Sequence, residues 1–203
     1  MTKPGEVLMM ARAPVLGEVK TRLARDLGAA AALAFYRDTL HTLVERLHDR
    51  RAFTLVLAVT PDDAADDAAL WPPGPARLPQ GGGDLGVRMR RLLARARPDR
   101  PVVAVGSDLP DMTADHVEAA LAALRAGPPD LLFAPARDGG FWLIGARRPP
   151  AAQLFAGVRW SGPHALADSL ASVGGAARVR TDLALADVDT AADLAAHRSA
   201  GGE

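Results

Sequence analysis

Short apolar runs alternate with helical stripes along most of this chain, and no other feature of the sequence restricts its fold so much. Glu6–Ala11, Phe53–Thr60 and Pro101–Gly106 read as buried strands. The last is uniformly apolar, as a central strand of a parallel sheet is. Within about Ala29–Arg50, Leu33, Tyr36, Leu40, Leu43 and Leu47 recur at three- and four-residue steps and form a helical stripe. Asp62–Trp71 reads as a short helix and Ala76–Pro79 as a brief strand. A helix follows Asp84 with Leu85, Met89, Leu92 and Leu93 inward, and Thr113 caps another that runs to Arg125. Ser161–Ser172 reads as helix with Pro163 in its first turn, and Val179–Leu185 as strand. Thr190 caps a last helix, with Asp193 three residues on.

Such alternation implies a parallel sheet with helices on both faces. Leu131–Pro135 and Phe141–Gly145 lie too close for a crossover helix, so one strand there is expected to run antiparallel. The expected fold is α/β: a three-layer α/β/α sandwich on a mixed, mostly parallel sheet. Ligands then bind over the carboxyl ends of the parallel strands.

Composition removes several function classes. With 24 basic and 24 acidic residues the chain is neutral, which argues against a nucleic-acid binder. The absence of cysteine excludes disulfide scaffolds, zinc fingers and thiol nucleophiles. No apolar run reaches the roughly 20 residues of a membrane span, and Glu6–Ala11 is too short for a signal-peptide core. A cytoplasmic protein of one domain, residues 1–203, is expected. Alanine supplies 42 of the 203 residues, so alanine-rich stretches are weak evidence for helix.

Three charged clusters fall at strand-to-loop junctions. The first, Arg12 to Leu23, follows the first strand and places Lys20, Arg22 and Arg25 around a helix entry, a setting suited to a polyphosphate. That loop itself has neither the GxxxxGK[ST] nor the GxGxxG spacing, and an ordinary surface turn carries such cations too. Lys20 is one of only two lysines against 22 arginines, and is expected to face solvent. The second, Gly106-Ser107-Asp108-Leu109-Pro110-Asp111, puts Asp108 at the end of the central strand, where a hard oxygen ligand suits Mg²⁺ or Mn²⁺. Asp108 or Asp111 would serve equally as a helix cap. In the third, Asp187 and Asp189 point the same way from an extended segment and can share a metal with Asp108. Without the ion, Asp108 and Asp189 are expected to repel.

Two glycine-rich loops complete the set. Gly81-Gly82-Gly83-Asp84-Leu85-Gly86 precedes Arg88 and is expected to be mobile until a ligand orders it. Arg137-Asp138-Gly139-Gly140 is a tight turn that a plain hairpin would also want. Trp142 and Trp160 read as core. No GxSxG elbow is present, and His41 and His48 lie seven apart, not at the four-residue metal spacing.

Taken in order, these segments resemble one bacterial family. They are Pro14, Gly17 and Lys20-Thr21-Arg22-Leu23; Gln80 with Gly83-Asp84-Leu85-Gly86 and Arg88-Met89; and Gly106-Ser107-Asp108 with Pro110-Asp111. Asp138-Gly139-Gly140-Phe141, Trp160-Ser161 and Asp187-Val188-Asp189-Thr190 extend the pattern. The family is that of glycosyltransferase-like, or nucleotide-diphospho-sugar transferase-like, proteins of GT-A fold, and the likeness covers roughly residues 6–195. Lys20-Thr21-Arg22-Leu23 is also similar to the phosphate-binding segment of the 2-phospholactate guanylyltransferases. The resemblance implies a nucleotide or sugar-nucleotide donor, a small-molecule acceptor and a divalent metal. A strict Asp-x-Asp after the central strand is absent, since Asp108 and Asp111 are three apart.

The leading expectation is an Mg²⁺-dependent nucleotidyltransferase acting from a nucleoside triphosphate on a small phosphorylated or acidic acceptor. Lys20, Asp108 and Asp138 are its expected catalytic residues, and Asp108 and Asp189 its metal ligands. Arg12, Pro14, Gly17, Lys20, Arg22, Gly83, Asp84, Gly86, Arg88, Ser107, Gly139 and Gly140 are expected around the nucleotide. The alternatives are a glycosyltransferase, with Asp138 deprotonating an acceptor hydroxyl, and a nucleotide-binding protein without turnover. A homodimer is compatible with each.

Overall fold

The computed structural model describes residues 4–200; expectations that reach residues 1–3 or 201–203 lie outside it. Seven strands form one sheet: β1 (Gly5–Arg12), β2 (Phe53–Thr60), β3 (Ala76–Pro79), β4 (Val102–Gly106), β5 (Leu131–Pro135), β6 (Phe141–Ala146) and β7 (Arg178–Val179). Their order is β3-β2-β1-β4-β6-β5-β7. Only β6 runs against its neighbours, β4 and β5, so the close strand pair is indeed a hairpin in a mostly parallel sheet.

The period of two along each strand splits the core between the two faces. Val7, Met9, Leu57 and Val105 pack with α2 (Ala29–Leu47) and α4 (Ala114–Arg125) on one side. Leu8, Ala58, Ala104 and Phe133 pack with α3 (Leu85–Leu93) and α5 (Ala165–Ser172) on the other. Each fully buried leucine of this set is worth about 2 kcal/mol, enough to hold the α/β/α sandwich without crosslinks. A third, smaller cluster joins Leu23 of α1 (Thr21–Leu27), Ala32 of α2, Val188 and Leu194 of α6 (Ala191–Ala200). It ties the helix after the first loop to the last segment of the chain.

Several elements differ from the sequence expectation. Asp62–Trp71 forms two 3₁₀ turns, Asp62–Ala65 and Ala68–Leu70, closed when the Trp71 indole N–H turns inward to donate to the Ala64 carbonyl at 2.7 Å. Leu85 opens α3 and is 43% exposed, while Met89, Leu92 and Leu93 are buried as expected. Pro163 lies outside α5, because Ser161 adopts a left-handed backbone (φ 62°) that delays the helix to Ala165. Beyond β7, residues Thr181–Leu183 turn as 3₁₀ and Leu185 makes a lone parallel bridge to Ala136. Among the described residues no helix is long and apolar enough to cross a membrane.

Candidate active site

A cleft of about 620 Å³ opens over the carboxyl ends of β1 and β4. Its charged floor is assembled from three distant stretches of chain. Lys20 is the N-cap of α1 with a left-handed backbone (φ 47°, ψ 44°), a strained conformation for a residue with a Cβ. Asp108 follows β4 by two residues, and Gly106 leaves room for its carboxylate, since a Cβ there would lie 2.8 Å from Asp108 Oδ1. Asp187 and Asp189 arrive on an extended segment fixed where the Val188 amide donates to the Asp108 carbonyl at 3.3 Å. Thr190 and Asp193 then start α6 with reciprocal caps: the Thr190 amide donates to Asp193 Oδ2 at 2.8 Å, and the Asp193 amide donates to Thr190 Oγ1 at 3.2 Å.

Lys20 does not face solvent. Its side chain is 5% exposed, and Nζ donates to Asp189 Oδ1 at 2.7 Å and to Asp108 Oδ2 at 3.1 Å. A surface position could not have held both partners; burial against the carboxylates does. Burial alone would push the Lys20 pKa down, but the charges and hydrogen bonds of Asp108 and Asp189 outweigh it and raise the pKa. The expected repulsion between those two aspartates is therefore offset by the ammonium. It falls instead on Asp187, whose pKa is raised by burial and by the neighbouring charges of Asp108 and Asp189. Arg22 lies 3.5 Å from Asp189 Oδ2, more than half exposed.

Asp108, Asp187 and Asp189 each offer a carboxylate oxygen, and the three oxygens lie within 4.8 Å of one another. Hard, anionic oxygen donors of this kind match Mg²⁺ or Mn²⁺. The Asp187 carboxylate, half-buried beside the like charges of Asp108, Asp189 and Asp138, would be relieved by a cation next to it. The donor set thus fits a divalent ion.

Of the residues expected around a nucleotide, Arg12, Lys20, Arg22, Arg88, Ser107 and Gly140 line the cleft, as does Asp138. The others shape neighbouring elements. The Pro14 carbonyl accepts from Arg37 at 3.1 Å, Gly17 supplies a turn with φ 81°, and Asp84 caps α3 by accepting from the Val87 amide at 2.8 Å. Gly86 packs beneath Phe155 and Trp160, where a Cβ would come within 2.8 Å. Gly139 is pressed against the Pro163 backbone, and a Cβ would stand 2.6 Å from the Pro163 carbonyl oxygen. Nor is the Gly81–Gly83 stretch short of side-chain support. Arg91 donates to the carbonyls of Gln80 and Gly82, Arg88 donates to that of Gly83 at 2.8 Å, and the Gly81 amide donates to Asp62.

Tyr36 escaped the sequence reading as anything but core. Its hydroxyl accepts from the Arg12 amide at 3.0 Å, donates to the Arg12 carbonyl at 2.9 Å and lies 3.3 Å from Ser107 Oγ. It pins the ends of β1 and β4 together beneath the cleft. Trp142 is buried, donating to the Leu183 carbonyl at 2.7 Å, Trp160 packs against Phe155 at a tilt of 58°, and both indoles line the cleft.

Comparison with known proteins places the fold among solved relatives. A family model described as "Uncharacterized protein conserved in bacteria (DUF2064)" matches residues 42–162. No curated protein matches in sequence. Among solved structures, a protein from Desulfovibrio desulfuricans G20, named as a candidate nucleotide-diphospho-sugar transferase, superposes with a TM-score of 0.80 at 28% identity. The alignment covers 96% of this chain and 85% of that one. A CMP:2-keto-3-deoxy-manno-octonic acid synthetase solved with CTP gives 0.55 at 15% identity, covering 98% of each chain. Glucosyl-3-phosphoglycerate synthase from Mycobacterium tuberculosis, solved with Mn²⁺ and UDP, gives 0.52 at 14% identity, covering 96% of this chain and 75% of that one. The last two share the fold.

Proposed function

The chain belongs to the bacterial DUF2064 family, and from that premise we propose that it is a divalent-metal-dependent transferase using a nucleotide donor, with nucleotidyl transfer its reaction. The observation that carries this reading is the convergence of Asp108, Asp187 and Asp189 on one point beside Lys20, at the carboxyl ends of the parallel strands. Carboxylates alone would repel a polyphosphate. A cation-binding trio set among Lys20, Arg12, Arg22 and Arg88 in one cleft suits a metal-bound triphosphate.

Asp108 and Asp189, with Asp187, would hold Mg²⁺ or Mn²⁺, which supplies charge neutralisation on the phosphate oxygens. Lys20 and Arg22 bind and orient the phosphate chain. An oxygen of a small phosphorylated or acidic acceptor attacks the α-phosphorus, and the bond to the β-phosphate bridging oxygen breaks to release pyrophosphate. Such an acceptor is already anionic, so no strong base is required. Positioning and electrostatics supply most of the catalysis.

Glycosyl transfer is the second reading, favoured by the name of the 28%-identical Desulfovibrio structure. Asp138 lines the cleft, exposed, and would then deprotonate an acceptor hydroxyl.

A thermal-stability scan against nucleoside triphosphates and sugar nucleotides, with and without Mg²⁺ or Mn²⁺, separates the readings. A ligand at about 100 times its Kd adds about 2.7 kcal/mol. Metal-dependent stabilisation by a triphosphate, with pyrophosphate release once an acceptor is added, is expected. A response confined to sugar nucleotides moves the assignment to glycosyl transfer. Binding without product in either series makes the protein a nucleotide binder, and no response to any nucleotide removes the reading.

A further inference from the structure

The next inference rests on the metal reading above and concerns what holds the carboxylates before the metal does. The Lys20 ammonium lies within 3.1 Å of both Asp108 and Asp189 and is nearly sealed from water. A bound Mg²⁺ or Mn²⁺ sits about 2.1 Å from its oxygens. An ion shared by Asp108 Oδ2 and Asp189 Oδ1, the two oxygens that hold the ammonium, would claim its space, and two cations that close repel strongly. The backbone cannot yield easily, because Leu23 of α1 packs with Val188 and Leu194 in one cluster. The side chain can. A lysine is a compact charge on a flexible four-carbon stem, whereas arginine is a planar fork. In a chain with 22 arginines, lysine at this position fits that need.

We propose that Lys20 and a divalent cation hold Asp108 and Asp189 by turns, the ammonium occupying the cation position in the empty protein and swinging into the cleft toward the donor's phosphates when the metal arrives. Metal alone then binds weakly, because it must displace a paired ammonium that gains no new partner. Metal with a polyphosphate binds better, because the displaced ammonium is re-paired. By linkage, nucleotide and metal strengthen each other equally.

Two measurements on the full chain, both without nucleotide and independent of turnover, test this. The first titrates Mn²⁺ alone and reads the free ion by electron paramagnetic resonance, for wild type and Lys20→Met. The variant is expected to bind Mn²⁺ at least tenfold more tightly. The second labels wild-type protein with an amine-reactive reagent and reads Lys20 separately from Lys3 by peptide mass. Labelling of Lys20 is expected to be slow, and at least tenfold faster once Mn²⁺ is bound. Equal or weaker Mn²⁺ binding by a folded Lys20→Met overturns the exchange, as does Lys20 labelling that stays slow with Mn²⁺ bound. If Lys20→Met does not fold, the labelling result decides alone. Absence of Mn²⁺ binding in both proteins overturns the exchange and the metal reading together, so the two failures are distinguishable.

Discussion

The ammonium of Lys20 lies 2.7 Å from the carboxylate of Asp189, a residue 169 positions further along the chain. This contact closes the site from one end of the sequence to the other, and it sets what each substitution there should do.

Asp189→Asn removes the charge of the shorter of the two Lys20 contacts and leaves Asp108 as the one carboxylate bonded to a nearly buried ammonium. Because Asp189 is itself about a third exposed, the expected loss is about 1–2 kcal/mol rather than the larger cost of a fully buried pair. Urea denaturation at pH 7 measures it. Metal-dependent activity should disappear in the same variant and in Asp108→Asn. Metal dependence that survives in both would rule this pair out as ligands.

Asp187→Asn should act in the opposite direction on the metal-free protein. The raised pKa of Asp187 means that its charge is disfavoured in the folded state. Wild-type stability therefore falls as pH rises from the ordinary carboxylate value to the raised one, and then stays low. The variant lacks that fall, so it should match wild type in acid and exceed it at pH 7 by up to about 1 kcal/mol. Equal stability across the whole range would show that Asp187 feels no repulsion.

Glu6 provides the contrasting carboxylate. It is 2% exposed at the start of β1, where Arg95 grips both oxygens at 2.7 Å and Arg100 adds a third contact at 3.2 Å. Burial pushes its pKa up, but the Arg95 hydrogen bonds and the two guanidinium charges outweigh burial and hold it below the usual value. Its stabilisation is complete above the ordinary carboxylate pKa and is lost as pH falls toward the lowered one. Glu6→Gln should cost about 2 kcal/mol at pH 7, since the arginines left behind are nearly half exposed. The difference should shrink in acid, as a pH series of melting curves would show.

Gly139→Ala and Gly17→Ala separate backbone strain from crowding. Both glycines have positive φ, 88° and 81°, but a Cβ at Gly17 meets open space while one at Gly139 meets the Pro163 backbone. About 1 kcal/mol is expected for the first and at least twice that for the second. Equal losses would show that the Pro163 contact relaxes freely.

The sequence made the local elements readable wherever an apolar run met a hard stop. Phe53–Thr60 ends at Pro61 and Leu131–Pro135 at the Asp138 turn, and both strands have the bounds that pattern implies. The Thr190–Asp193 cap was readable for the same reason, being complete within four residues. Asp108, Asp187 and Asp189 could be named as a trio from their places after strands. What holds them could not: the partner of Lys20 depends on how α1 and α6 pack around Leu23 and Val188, a non-local event with no periodic signature. For Gly81–Gly83 the sequence shows only what a glycine side chain lacks, not the Arg88 and Arg91 groups that reach the carbonyls of Gln80, Gly82 and Gly83.

The docking of residues 187–189 onto the end of β4 also fixes when the site can exist during synthesis. Every strand of the sheet has been translated once Val179 is made, yet Asp187 and Asp189 are still to come. A nascent chain interrupted at that point would carry all seven strands, only one of the three carboxylates, and a Lys20 short of its closer partner. The cluster of three carboxylates is thus completed only after translation has passed the sheet, and a fragment released before that point lacks it.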